Sequence, residues 1–113
     1  MRSIFVENYK NVSDEEIVEQ IRGGNYELVP VIFGRYEKQV RYYVEKYCRE
    51  SDREDASQEA SLALYSAIKD YDKNKSAFSS FASLCIKRAV TDLVKKANRK
   101  KNIPEELFEP IEE

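Results

Sequence analysis

The chain has 113 residues and a formal net charge of −2, and it contains three glycines, three prolines and no histidine. This length suits one domain, and so few glycines and prolines disfavour an all-β protein, which needs many turns. No apolar run approaches the roughly 18 residues that cross a bilayer, and Glu7 interrupts the opening segment before a signal-peptide core could form. We therefore expect a helical protein of the cytoplasm with no membrane partner.

The first helix is predicted from a capping pattern. Ser13 and Glu16 have the S-x-x-E spacing, in which each side chain satisfies a free backbone N–H at a helix start. The helix should run from Asp14 to about Arg22. Gly23-Gly24 should end it, since glycine adopts left-handed backbone geometry without steric cost.

The second helix is predicted from a long apolar stripe with helical spacing. Pro30 conflicts with a helix that starts at Asn25, because proline beyond the first turn loses a hydrogen bond and clashes with the preceding turn. We therefore expect a late start or a slight kink. The stripe comprises Val29, Ile32, Phe33, Tyr36, Val40, Tyr43, Val44 and Tyr47.

The third helix is predicted to begin at a second capping pattern, Ser51 with Glu54. Small and apolar residues then recur at helical spacing, and small residues allow helices to pack closely. The polar sequence DKNKS at residues 72–76 should form the turn that follows. The predicted buried positions are Ala56, Ala60, Ala63, Leu64, Ala67, Ile68 and Tyr71.

The last helix should run from near Phe78 to about Lys101, and Pro104 should block its continuation. The fold class is therefore all-α, a compact bundle of about four helices. The predicted buried face of the last helix comprises Phe78, Ala82, Cys85, Ile86, Ala89, Val90, Leu93, Val94 and Ala97.

Positive charge is concentrated on this last helix. Residues 87–101 carry seven Lys or Arg against one Asp, whereas residues 1–86 carry 12 basic and 15 acidic side chains and residues 102–113 carry five Glu and no base. At 100° per residue, Phe81 and Leu84 fall outside the buried face, on the side that carries Arg88, Thr91, Lys95 and Arg99. Cations interleaved with a stacking residue suit single-stranded DNA. The alternative is that Phe81 and Leu84 pack against the first helix or a loop and that the cations only solubilise the protein.

Enzymatic chemistry is not indicated by the residue types. Without His, a Cys or Ser nucleophile lacks its usual base, and no glycine-rich loop could hold a phosphate group. We expect no enzyme activity, no cofactor and no metal. Cys48 and Cys85 are expected to be buried apolar residues. The carboxylates of Asp52, Glu54, Asp55 and Glu59 are expected to form a solvated helix surface rather than a metal site.

Two adjacent segments carry a family resemblance that extends from Ser13 to Pro104. The first, DREDASQEASLALYSAIKDYD at residues 52–72, resembles the D-L-I-Q-E-G-x-x-G-L-x-x-A-I-x-x-F-D segment of region 2 of bacterial sigma factors of the major class. The second, FSSFASLCIKRAVTDLVKKANRKKNIP at residues 78–104, resembles the adjoining DNA-reading segment. The chain is most similar in character to the stationary-phase and sporulation sigma H group.

The resemblance implies a surface for core RNA polymerase. Asp55, Gln58 and Glu59 should face the clamp-helix coiled coil of the polymerase, where carboxylates and amides meet arginines. The alternative is that these residues form a solvated helix start without a partner.

The resemblance also implies a surface for promoter DNA, in particular the single-stranded non-template strand of the minus-ten element. Phe81 should hold the flipped adenine of that element, so that binding drives melting without covalent chemistry. Arg88 and Thr91 should read its upstream edge. The remaining expected DNA contacts are Leu84 and the phosphate-binding residues Lys87, Lys95, Lys96 and Arg99.

The sequence departs from the family pattern at two places. Ala56, Ser57 and Ala60 replace the usual Leu-Ile and Gly of the polymerase-binding helix. Leu84 and Cys85 replace the paired tryptophans that wedge the duplex in housekeeping sigma factors. From the second departure, the missing tryptophans, we expect poorer melting and a stricter dependence on promoter sequence.

The expected domain organisation is a sigma region 2 helical domain at residues 1–104 and an acidic linker or screening tail at residues 105–113. Nothing after Pro104 could supply the helix-turn-helix of region 4, so we expect either a fragment or a natural short protein that needs a partner. The expected function is polymerase binding with recognition and melting of the minus-ten element. The alternative is a co-sigma or decoy protein that does not read DNA, and an anti-sigma factor is a further candidate partner.

Overall fold

The computed structural model describes residues 9–100, and within them the chain forms four α-helices and no strand. The helices are α1 (Asp14–Arg22), α2 (Val29–Tyr47), α3 (Arg53–Asp70) and α4 (Phe78–Lys100), with 3-10 turns at Tyr26–Leu28 and Glu50–Asp52. This architecture confirms the predicted all-α bundle of about four helices. The predicted stop at Pro104 and the acidic segment at residues 105–113 lie outside the described residues. None of the helices in the described part is long and apolar enough to span a membrane.

The bounds of α1 confirm the prediction from its capping residues. The Ser13 hydroxyl accepts a 3.2 Å hydrogen bond from the backbone N–H of Glu16. After the helix, Gly24 has a φ of 118°, a backbone angle that side-chain-bearing residues rarely adopt. The buried face of α1 consists of Ile17, Val18 and Ile21.

Pro30 sets the start of α2. It lies in the first turn, where a missing backbone N–H costs no intrahelical hydrogen bond, and α2 begins at Val29. The predicted late start is therefore confirmed. Val31, which is absent from the predicted stripe, is also buried. The buried residues of α2 are Val31, Ile32, Tyr36, Val44 and Tyr47, and Val29, Phe33, Val40 and Tyr43 pack at the edge of the core.

The predicted cap at Ser51 is wrong. Ser51 lies inside the 3-10 turn, and α3 begins at Arg53 after Asp52, which makes no side-chain cap hydrogen bond. Within the 3-10 turn, backbone carbonyls accept from the free N–H groups instead. The N–H of Asp52 donates to the Arg49 carbonyl at 2.9 Å, and the N–H of Arg53 donates to the Glu50 carbonyl. A side-chain cap is therefore not required at these positions.

The small residues of α3 allow close packing against α4, which is the most extensive helix pair in the described part of the chain. Ala56, Ala60 and Ala67 are essentially inaccessible to solvent. On the α4 side, the buried residues recur every fourth position, at Phe78, Ala82, Ile86, Val90, Val94 and Asn98. The predicted buried face of α4 is largely confirmed, but its members Cys85, Ala89, Leu93 and Ala97 are only half-buried, and burial of the polar Asn98 was not predicted.

Phe78, the first residue of α4, is the aromatic centre of the core. It is fully buried, and the rings of Tyr36 and Tyr71 meet it edge-on at centroid distances of 5.8 and 5.2 Å. The Tyr36 hydroxyl also donates a 2.6 Å hydrogen bond to the Asp14 carboxylate of α1. The start of α4 is therefore held between α1, α2 and the residue that follows α3.

Candidate functional site

One side of α4 carries most of the residues predicted to contact DNA, and we call it the α4 surface. Leu84 is 44% exposed and Arg88 and Arg99 are exposed. Lys87, Thr91 and Lys95 are half-buried beside them. Lys96 is exposed but lies about 100° around the helix from Lys95, so it does not belong to the α4 surface. The structure therefore brings a large apolar side chain and several cations together on one accessible side of a helix.

Thr91 is oriented by its own helix. Its hydroxyl donates to the Lys87 carbonyl at 3.0 Å and lies 3.3 Å from the Arg88 carbonyl. Because the hydroxyl proton is used within the helix, Thr91 presents a methyl group and an acceptor oxygen to any ligand. Arg88, the neighbouring exposed residue, supplies the donors at this point.

Phe81 lies at the boundary between the core and the α4 surface. It is half-buried, and its ring packs against Tyr71 with centroids 6.1 Å apart and a 40° angle between the planes. The prediction that Phe81 lies on the surface rather than in the core is therefore met only in part. Four residues advance 40° beyond a full helical turn, so buried residues with four-residue spacing follow a path that turns around α4. In the first turn of α4, this path lies close to Phe81.

Gln39 of α2 contacts α4 beside the α4 surface. The sequence did not predict this contact. The side-chain amide of Gln39 donates a 2.6 Å hydrogen bond to the Ser83 hydroxyl of α4. Both residues are half-buried. The two residues are 44 positions apart, and no local pattern in the sequence signals their pairing.

A second accessible surface lies on α3. The three residues predicted to bind polymerase, Asp55, Gln58 and Glu59, are all exposed. Leu62 is 61% exposed and Tyr65 is 39% exposed, and both fall on the same side of the helix at three- or four-residue steps. We call these five residues the α3 surface. The same spacing could have identified Leu62 and Tyr65 from the sequence, since both lie outside the buried stripe.

The two cysteines are poorly suited to reactive chemistry. Cys48 is buried and Cys85 half-buried, so the prediction of buried thiols holds fully only for Cys48. Burial raises the pKa of each thiol, which keeps both protonated near neutral pH. Across residues 9–100, no three His, Cys, Asp or Glu side chains form a group that could hold a metal ion.

The chain matches the model of one protein family over most of the helical bundle. The model of the Sigma-70 region 2 family matches residues 32–100, which include α3, α4 and most of α2. The chain belongs to this family. The resemblance seen in the sequence is therefore confirmed.

Two curated relatives extend the comparison. The chain is 33% identical over 100 residues to the RNA polymerase sigma-H factor of Bacillus subtilis (strain 168), a match that covers 87% of this chain and 46% of that protein. It is also 33% identical over 100 residues to the RNA polymerase sigma-H factor of Bacillus licheniformis, covering 87% of this chain and 45% of the relative. The chain thus spans about half the length of the curated relatives that it matches. No solved structure matches the chain significantly.

Proposed function

We propose that this chain acts as region 2 of a sigma factor, which binds core RNA polymerase in the cytoplasm and recognises and melts the minus-ten element of promoters. The observation that carries the proposal is the α4 surface, where the half-buried Phe81 adjoins Leu84 and a row of cations. Membership of the Sigma-70 region 2 family and the likeness to two sigma-H factors support it.

The α4 surface suits a separated DNA strand on physical grounds. Arg88, Lys95 and Arg99 follow one side of the helix at steps of seven and four residues, and each can neutralise a phosphate. Phe81 offers an aromatic ring at the start of that row. A base flipped from the duplex costs a few kcal/mol of stacking, and contact with an aromatic ring and with the cationic row offsets this cost. Melting then follows from binding alone, without enzymatic chemistry.

The α3 surface suits polymerase. Its carboxylates, Asp55 and Glu59, can form charge-assisted hydrogen bonds with arginines of the clamp-helix coiled coil. Leu62 and Tyr65 add apolar area, which an exposed helix would otherwise leave in water. Because this surface and the α4 surface lie on different helices, one molecule can contact polymerase and DNA together. An anti-sigma factor that covered Leu62 and Tyr65 would block polymerase, which makes it a further proposed partner.

The experiment is a strand selection with bacterial core RNA polymerase. Core polymerase, with and without the chain, is used to select single strands from a randomised DNA pool. We expect a defined strand, the selected strand, to be retained only when the chain is present, and Asp55→Ala to abolish retention by weakening polymerase binding. A chain that binds polymerase without retaining any defined strand would instead be a decoy. A chain that does not bind polymerase would overturn the proposal.

A further inference from the structure

The first helix is joined to both ends of the loop between α3 and α4. At one end, the Arg22 guanidinium donates a hydrogen bond to the backbone carbonyl of Tyr71. At the other end, the Glu15 carboxylate accepts a 2.8 Å hydrogen bond from the backbone N–H of Phe78. Glu15 and Arg22 are seven residues apart, so they project from the same side of α1. One side of one short helix therefore fixes both ends of the loop at residues 71–77.

The contact at Phe78 has the character of a helix cap supplied from outside the helix. The N–H of Phe78 belongs to the first turn of α4, where backbone donors have no partner within the helix. The negative charge of Glu15 also meets the positive end of the α4 dipole. Glu15 thus fixes the position at which α4 begins, and the position of Phe81 one turn later follows from it.

The contact at Tyr71 fixes the residue that supports Phe81. The Tyr71 ring packs against both Phe78 and Phe81, at 5.2 and 6.1 Å between centroids. Its hydroxyl donates a 2.7 Å hydrogen bond to the Ser76 carbonyl, which closes the loop on itself. Burial, and then the nearby charge of Glu15, raise the pKa of this hydroxyl, so Tyr71 stays neutral. Tyr71, whose ring lies next to Phe81, is therefore held at its backbone carbonyl by Arg22 and at its hydroxyl by the Ser76 carbonyl of the loop.

We propose that α1 is a positioning element for base capture, in which Glu15 and Arg22 hold Tyr71 and the start of α4 so that Phe81 presents its ring in a fixed orientation. This inference rests on the proposed function, because it assigns a role in the capture of a base by Phe81. Glu15 and Arg22 lie on α1 and not on the α4 surface, and in this proposal they act on Phe81 through their contacts with Phe78 and Tyr71.

The test compares two affinities in the same set of variants, that of the chain for core polymerase and that of the resulting holoenzyme for the selected strand. We expect Glu15→Ala and Arg22→Ala to lower the strand affinity by about tenfold, within the range of a lost base stack, and to leave polymerase binding within about twofold. Glu15→Gln keeps an acceptor oxygen and should retain most of the affinity. Glu19→Ala, an exposed carboxylate on the same helix, is the matched control.

A base analogue supplies a second readout. With 2-aminopurine at the captured position of the selected strand, wild-type holoenzyme should change its fluorescence as the base leaves its neighbours and stacks on Phe81, and Glu15→Ala should reduce this change even at saturating protein. If Glu15→Ala proves unfolded, Glu15→Asp keeps the charge but shortens the side chain by one methylene, and it should show the same loss.

The outcomes separate this inference from the proposed function. If Phe81→Ala weakens strand binding but Glu15→Ala and Arg22→Ala do not, the positioning role is overturned and the proposed function stands. If the two α1 variants lower polymerase and strand binding in parallel, their role is only structural and the inference is also overturned. If Phe81→Ala itself leaves strand binding unchanged, the proposed function fails.

Discussion

The ring of Tyr71 lies against the ring of Phe81, with 6.1 Å between their centroids, and Phe81 is left half-buried. This intermediate position sets the expected effect of Phe81→Ala. The variant should lose about 1 to 2 kcal/mol of unfolding free energy, less than the 3 to 5 kcal/mol typical of a fully buried phenylalanine. Holoenzyme affinity for the selected strand should fall by about 1 to 3 kcal/mol, the usual value of a base stack.

Urea denaturation and strand binding measure the two losses for Phe81→Ala separately. Phe81→Tyr keeps the ring and should bind nearly as well as the wild type. A variant that unfolds easily while its folded fraction binds the strand normally would show that Phe81 serves the core alone.

Asp55→Ala and Glu59→Ala should weaken polymerase binding without destabilising the fold. Both residues are exposed, so unfolding free energies should change by no more than about 0.5 kcal/mol. Affinity for core polymerase should fall by about 2 to 5 kcal/mol if each carboxylate meets a buried arginine. Glu54→Ala removes an exposed carboxylate from the first turn of α3, which also contains Asp55, and controls for the helix dipole. Stability losses above about 2 kcal/mol would make these carboxylates structural.

Leu62→Ser tests the apolar part of the α3 surface. Because Leu62 is 61% exposed, its replacement should leave the melting temperature nearly unchanged. Polymerase affinity should fall by about 1 kcal/mol or more, since the apolar area of Leu62 would no longer be removed from water in the complex. Calorimetric titration against core polymerase measures the change. Equal affinities for wild type and Leu62→Ser would remove Leu62 from the interface.

Arg88→Ala and Lys95→Ala should change the salt dependence of strand binding. Each lost phosphate contact should reduce the slope of log K against log salt by about 0.7, the value for single strands. Arg41→Ala is a suitable control, because Arg41 pairs with Glu37 at 3.3 Å and lies on the side of α2 opposite Gln39. A slope that does not differ between Arg88→Ala and Arg41→Ala would show that Arg88 does not contact phosphate.

Tyr36 should make the fold sensitive to alkali. Burial, and then the hydrogen bond to Asp14, raise the pKa of Tyr36 above its ordinary value in the folded state. The unfolded chain therefore releases this proton first, so the contribution to stability is complete below about pH 10 and is lost as the pH rises further.

The variant Tyr36→Phe isolates this effect. At pH 8 it should be less stable than the wild type by about 1.5 to 3 kcal/mol, the value of a hydrogen bond to a charged acceptor. At pH 11 the difference should shrink by about 1.4 kcal/mol, because unfolded wild type is then ionised at this residue. Urea denaturation at both pH values measures it. If the stability difference between Tyr36→Phe and the wild type does not vary with pH, Tyr36 has the same pKa in the folded and unfolded states.

Local patterns predicted most of this fold, and long-range contacts account for what they missed. The helix bounds follow from Pro30, the Ser13 cap and the apolar stripes, all of which act within a few residues. The bond between Glu15 and Phe78 joins residues 63 positions apart, and that between Arg22 and Tyr71 joins residues 49 apart, so neither leaves a periodic signal.

One wrong prediction and one that is met only in part have local physical causes. Ser51 has the spacing of a cap, but it lies inside a 3-10 turn in which backbone carbonyls accept from the N–H groups of Asp52 and Arg53. Phe81 was placed by a straight helical wheel, whereas the buried stripe of α4 turns around the helix. On the α3 surface, Asp55, Gln58 and Glu59 are exposed as expected, and the exposed apolar side chains of Leu62 and Tyr65 lie beside them.

The contacts that hold the loop at residues 71–77 have a consequence for sequence variation. Arg22, Glu15 and the Tyr71 hydroxyl all bind backbone atoms, namely the Tyr71 carbonyl, the Phe78 N–H and the Ser76 carbonyl. Backbone atoms are the same whatever side chain a position carries, so residues 72–77 can be exchanged without removing any of these bonds. The side chains of this loop are therefore open to substitution, while the contacts that hold Tyr71 and the start of α4 are retained.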